Sequence, residues 1–227
     1  LHPKEVRWKD AWLVAERAGV NAFPIIALVG FLIGLILAFQ AAIPMKQFGA
    51  EIFVADLVAL SVIRELGPLM TAIVLAGRSG SAFAAEIGTM RVNEEINALT
   101  TMGLTPVRFL VVPRVLAAVA VTPLLTAFTN FFGLVGGLVV MWSLGFPTVT
   151  YVNEVRGALR GFDLPGGLIK SLAFGLLVAG IGCLRGLQTG TGASAVGEST
   201  TRAVVAGIVL IILSDGLFSV VYYYLGI

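Results

Sequence analysis

The chain has 227 residues, of which 58% are hydrophobic and only 12% charged, with a mean hydropathy of +0.97 and a formal charge of +2. Soluble domains carry about 25% charged residues, so the composition excludes a soluble globular protein and indicates an all-α integral membrane protein, one domain over residues 1–227. A single cysteine, Cys183, excludes a disulfide within the chain, and a single histidine, His2, argues against a His-based metal site or catalytic dyad; nothing points to nucleic acid.

Residues 1–19 place Trp8, Ala11, Trp12 and Ala15 on one helical face, with Glu5, Lys9 and Glu16 on another. Tryptophans on such a helix favour the membrane surface, so an N-terminal interfacial helix is predicted. Charges of both signs there do not form a signal peptide, and a start at Leu1 leaves room for residues before it. A span needs about 20 apolar residues. Residues 20–43 form the first. Residues 53–77 form the second, interrupted by Asp56, Arg64 and Glu65.

Residues 78–105 follow as a mixed segment. Ile87, Met90, Ile96, Leu99 and Met102 recur at near-helical spacing, Glu86, Arg91, Glu94 and Glu95 fill the rest, and Gly103 and Pro106 mark a stop. Such a helix either rests on lipid headgroups or docks into the groove of a soluble partner. Residues 115–153 carry no charge. As one helix they would run about 60 Å, so one span over 115–142 and a hairpin of two are both open. Residues 150–162 form a second amphipathic helix, with Val152, Val155, Leu159 and Phe162 on one face. Residues 165–187, with Lys170, and 203–225, with Asp215, complete the spans. The distribution of Lys and Arg places the N-terminus and the 78–114 loop in the cytoplasm, but does not choose five spans over six.

Arg64, Glu65, Lys170 and Asp215 fall inside spans, and their charges sum to zero. A charge at the centre of a membrane helix costs about 2.5–3.5 kcal/mol on insertion scales. Such residues either brace helices against one another or face a cavity that holds a charged headgroup. Neighbours on a helix point about 100° apart, so Arg64 and Glu65 cannot satisfy each other. Opposite sign makes Glu65–Lys170 and Arg64–Asp215 the simplest pairing. Pro68 is expected to bend the second span beside them, and Asp56 is expected at the interface. Gly30/Gly34, Gly133/Gly137 and Gly182/Gly186 are close-packing pairs.

No Walker A loop appears, so no ATP hydrolysis is expected of this chain. Gly77-Arg78-Ser79-Gly80 lacks the Gly-x-Ser-x-Gly spacing of a nucleophile elbow. An intramembrane acid pair of Glu65 and Asp215, as in an enzyme, and a membrane scaffold without transport remain as rival readings.

The strings Arg64-Glu65-Leu66-Gly67-Pro68, Ala76-Gly77-Arg78-Ser79-Gly80-Ser81-Ala82 and Ala85-Glu86-Ile87-Gly88-Thr89-Met90-Arg91 resemble the signature of the MlaE permease family. Leu168-Ile169-Lys170-Ser171 and Thr200-Thr201-Arg202-Ala203-Val204-Val205 match as well. The resemblance implies the membrane subunit of a bacterial ABC transporter that moves phospholipids and maintains outer-membrane lipid asymmetry. It implies five spans, an N-terminal interfacial helix, a cytoplasmic coupling helix and a periplasmic amphipathic helix, in the inner membrane. It also implies a homodimer, an ABC ATPase subunit that binds ATP and Mg, a periplasmic MCE-domain protein and often a STAS-domain protein. Glu86, Gly88, Arg91, Glu94 and Glu95 would lie on the ATPase-coupling segment. Arg64, Glu65, Lys170 and Asp215 would line the substrate path. No catalytic residue, metal or cofactor is implied for the chain itself.

Overall fold

The computed structural model describes residues 8–226; the expected role of Glu5 in the surface helix lies outside them. Among these residues there is no strand. Five helical stretches are long and apolar enough to cross a membrane: Trp8–Gln47, Glu51–Val92, Val107–Ser143, Asp163–Leu187 and Ser194–Leu225. The uncharged third stretch is therefore one span and not a hairpin.

Helix α1 runs unbroken from Trp8 to Gln47. The expected surface helix and first span are one element. At about 1.5 Å per residue its 40 residues reach about 60 Å, roughly twice the hydrocarbon thickness. Its first turns therefore project beyond the apolar layer, with Trp8 and Trp12 exposed. The second stretch is a composite rod: α2 (Val54–Ser61), a wide π turn (Val62–Leu66), α3 (Gly67–Leu75), a second π turn (Ala76–Gly80) and α4 (Ser81–Val92). Pro68 lacks an N–H, and in an α-helix its ring would strike the carbonyl of Arg64. The first π turn resolves this, because Gly67 N–H bonds back five residues to the carbonyl of Val62. The turn before Pro68, where a bend that opens room was expected, is thus a widened one. A third π turn, Val107–Val111, precedes Pro113 in the same way.

The expected 78–105 helix is divided. Helix α4 continues the second span and buries Phe83, Ala84, Ile87 and Gly88 against the bundle. Glu94 then takes a left-handed conformation, φ 62°, which ends α4, and α5 (Glu95–Thr101) turns back. Gly103, at φ 78°, closes α5 as its position in the sequence suggested. The third span is α6 (Val112–Ser143). Helix α7 (Thr148–Ala158) caps the opposite end: Tyr151 donates to the carbonyl of Leu134 at 2.8 Å, and Trp142 Nε1 to Thr148 Oγ1 at 3.0 Å. Its inward face is Tyr151 and Val155; Val152, expected there, is exposed. Helices α8 (Asp163–Leu187) and α9 (Ala193–Leu225) complete the bundle.

Lipid tails are as apolar as leucine, so membrane helices associate through close packing and hydrogen bonds. The three glycine pairs do this. A Cβ on Gly34 would lie 1.8 Å from the carbonyl oxygen of Gly133, and one on Gly136 would lie 2.1 Å from that of Phe31, so α1 and α6 meet backbone to backbone. Gly182 faces the Gly80 carbonyl and Gly186 packs on Ile87, seating α8 on the second π turn and α4. Hydroxyls help: Thr71 and Thr129 approach to 2.6 Å across α3 and α6.

Gly34→Val should force α1 from α6 and sharply reduce the folded, monodisperse yield in detergent. Gly180→Ala, where nothing lies within 4 Å of the added methyl, should leave yield and melting temperature unchanged or slightly raised. Size-exclusion profiles and thermal melts of the two variants check this.

Candidate functional site

The intramembrane charges gather where the first π turn meets α8 and α9. The π turn carries Arg64 and Glu65, α8 carries Lys170 and α9 carries Asp215. Gly167 makes the approach possible: a Cβ there would sit 2.4 Å from the carbonyl oxygen of Ile63. Helix α8 therefore lies directly on the wide turn, with Asp163 one helical turn before Gly167 and Lys170 one turn after it.

Lys170 is the centre. Its side chain is 0% exposed, and its Nζ donates to Glu65 Oε2 at 2.6 Å and to Asp215 Oδ1 at 3.1 Å. It also lies 5.5 Å from the ring centroid of Tyr222, within reach of a cation–π contact. Ser219 Oγ lies 3.3 Å from Glu65 Oε1 and 3.0 Å from the carbonyl of Asp215. Tyr222 donates to the carbonyl of Gly166 at 3.0 Å. One ammonium thus ties three helical segments together.

The expected Glu65–Lys170 pair is present. The expected Arg64–Asp215 pair is replaced: Arg64 Nη1 reaches Asp163 Oδ1 at 3.2 Å, while Asp215 shares Lys170 with Glu65. The wide turn sends Arg64 towards the start of α8 and Glu65 towards its middle. Asp163 is buried, and its other oxygen accepts the backbone N–H of Arg160 at 2.6 Å. Sequence reading missed Asp163 because it precedes the apolar run of the fourth span. An acidic residue opening a helix was the available signal. Ser219 and Tyr222 carried no signal distinguishing them from ordinary span residues.

The cluster is only half sealed. Lys170 is fully enclosed, whereas the side chains of Arg64 and Glu65 are 33% and 38% exposed. The ammonium is structural in its reach; the guanidinium and one carboxylate also present themselves at the surface of a single copy. Asp56, expected at the interface, is half-buried and has one carboxylate oxygen buried without a hydrogen-bond partner. Among the described residues no group of three His, Cys, Asp or Glu side chains could hold a metal.

The second set of predicted residues lies at the α4–α5 end. Glu86 is held by Arg114 at 2.8 Å across α4 and α6, and remains exposed. Arg91, Glu94 and Glu95 are exposed around the turn between α4 and α5. Gly88 differs: it is buried, and a Cβ there would lie 2.7 Å from Thr189 Oγ1. Its place is in the contact between α4 and the end of α8, not on the outer surface.

Five helices long and apolar enough to cross a membrane, with an ion cluster among them, define a multi-pass membrane protein. The profile of the family described as Permease MlaE matches residues 13–221. A probable ABC transporter permease protein of Synechocystis is 43% identical over 199 residues, covering 87% of this chain and 75% of the relative. One from Rickettsia prowazekii is 38% identical over 206 residues, covering 90% and 80%. The intermembrane phospholipid transport system permease protein MlaE of Haemophilus influenzae is 32% identical over 208 residues, covering 90% and 79%. The chain belongs to the MlaE permease family, membrane subunits of ABC transporters whose ATPase is a separate subunit.

Removing one member of a buried ion pair typically costs about 3–5 kcal/mol. Lys170→Met should lower unfolding stability by about that amount, since it leaves Glu65 and Asp215 facing each other. The triple variant with Glu65→Gln and Asp215→Asn should recover most of the loss. Denaturant unfolding in mixed micelles measures both, and a Lys170→Met protein as stable as the parent would refute the bridging role.

Proposed function

We propose that this chain moves phospholipids between the bacterial inner membrane and a periplasmic MCE-domain partner, so maintaining outer-membrane lipid asymmetry. The observation that carries the reading is the half-sealed ion cluster. A fully enclosed Lys170 fixes Glu65 and Asp215, and beside it Arg64 and Glu65 stay partly open at the membrane-embedded surface. In a single copy that opening faces hydrocarbon, where an exposed charge is costly. A homodimer would enclose it, and a phospholipid headgroup, carrying both a phosphate and in many cases an amine, would match a guanidinium beside a carboxylate. The acyl tails would lie on apolar helix walls.

In this reading the N-terminus and the α4–α5 tip are cytoplasmic and α7 is periplasmic, in agreement with the Lys and Arg distribution. Glu86, Arg91, Glu94 and Glu95 would meet the ATPase subunit, which holds ATP and Mg, and a STAS-domain protein would sit on that ATPase. Gly88 would support the tip from beneath through its contact with Thr189. ATP binding would favour one arrangement of the tip. Because α4 is continuous with the rod that carries Arg64 and Glu65, displacement of the tip is a displacement of the cluster's own backbone. Rocking of the helices would then expose the headgroup site in turn.

The test is ATP-dependent transfer of a fluorescent phospholipid in proteoliposomes that contain the permease, its ATPase and the MCE-domain protein. Arg64→Gln should reduce transfer by about tenfold or more with assembly intact. Glu86→Arg should leave ATP hydrolysis running while lipid transfer falls by a similar factor of about ten, since the tip loses its tie to Arg114. Transfer at the parental rate in both variants would sink the reading.

A further inference from the structure

A cavity of about 560 Å³, apart from the ion cluster, opens between the first turns of α1, the second π turn with the start of α4, and the third π turn with the start of α6. Three arginines line it: Arg17, Arg78 and Arg114. Each stands at the same point of its own element. Arg17 is the last charge before the apolar run of α1, Arg78 the first after that of the second span, and Arg114 the last before the uncharged run of α6. The helices alternate in direction, so the three side chains meet at one depth, where the hydrocarbon ends. Trp8 and Trp12, exposed about one and a half to two and a half helical turns nearer the start of α1, lie on the interfacial side of that depth.

The cations are not used up by the protein. Arg114 spends Nη1 on the carbonyl of Leu110 and Nη2 on Glu86, both at 2.8 Å, but its Nε is buried with no partner. Among the described residues Arg78 reaches only the carbonyl of Ala18, at 3.3 Å. Arg17 is exposed and forms no ion pair or hydrogen bond with the described residues. Ser79, at the cavity wall, is 6% exposed, and its hydroxyl is buried without a partner. Among the described residues the cavity sets two carboxylates, Asp10 and Glu86, against three positive charges, a net positive lining. Unpartnered buried donors in a native fold call for an acceptor. Arginine forks suit the oxygens of a phosphate.

We propose that this cavity binds the phosphate of an anionic phospholipid headgroup from the leaflet at the α5 end. It is a site apart from the Lys170 cluster, and it stands or falls independently of the transport path. Its depth favours a lipid over an acidic segment of a protein partner. A lipid headgroup and a free phosphate share the chemistry, and the lipid places its phosphate at the level of the three arginines.

Native mass spectrometry of the purified permease, titrated with phosphatidylglycerol, tests this. The Arg17→Gln/Arg78→Gln double variant should lose one class of retained lipid, its apparent affinity falling about tenfold. Arg17→Lys alone should retain most of it. Arg64→Gln, in the other site, should leave this class intact. Competition by inorganic phosphate would assign the site to small phosphate anions in general; lack of competition would assign it to the lipid, and either result upholds the phosphate site. Unchanged phosphatidylglycerol and phosphate binding in the double variant, with an unchanged melting temperature, would overturn it. So would weakened capture of the ATPase subunit with lipid binding unaffected, which would make the cavity a protein dock.

Discussion

An ammonium with no access to water governs this structure. Lys170 is fully enclosed within a helix bundle whose outside is hydrocarbon, so its charge persists only if counter-charges are fixed beside it. Glu65 and Asp215 supply them from two other segments, at 2.6 and 3.1 Å. That requirement dictates the relative positions of the second span, α8 and α9. It also explains the glycine at position 167, since a side chain there would hold α8 away from the carbonyl of Ile63. The wide turn at Val62–Leu66 serves the same end, separating Arg64 from Glu65 so that each finds its own partner on α8.

Elsewhere the bundle is held by contact rather than by charge. Helices in lipid gain nothing from hiding leucine, so the strongest associations occur where side chains are smallest. Gly34 on Gly133, Gly136 on Phe31 and Gly182 on Gly80 let backbones touch. Threonines of α6 return their hydroxyls to their own helix, as Thr122 does to Ala118 and Thr126 to Thr122, which keeps polar atoms satisfied in the apolar layer. Large side chains such as Leu124, Leu213 and Leu217 face outwards instead.

The two polar regions lie on one element. The rod from Glu51 to Val92 begins near α7, passes through the ion cluster at its first π turn and ends at the exposed α4–α5 tip. Its π turns fall beside Pro68 and just before α4, at places where extra backbone already departs from the α-helical pattern. Wide turns of this kind are common at functional sites. Here they place the charged pair and the tip on a single continuous piece of chain.

Sequence by itself determined the class of protein, the five crossings once the family resemblance was added, the four intramembrane charges and the close-packing glycines. Each of these is local: apolar run length, charge in an apolar run and small-residue spacing are all readable along one helix. Of the two pairings that opposite sign suggested, Glu65–Lys170 is present and Arg64–Asp215 is not. Only the tertiary structure decided that Lys170 serves two carboxylates and that Arg64 turns to Asp163, because those choices depend on which side of a widened turn each side chain leaves. It also decided that the segment over 78–105 breaks at Glu94, and that three arginines remote in sequence share one cavity. Periodicity reports which face a residue occupies on its own helix; it carries no record of the neighbouring helix that completes the contact.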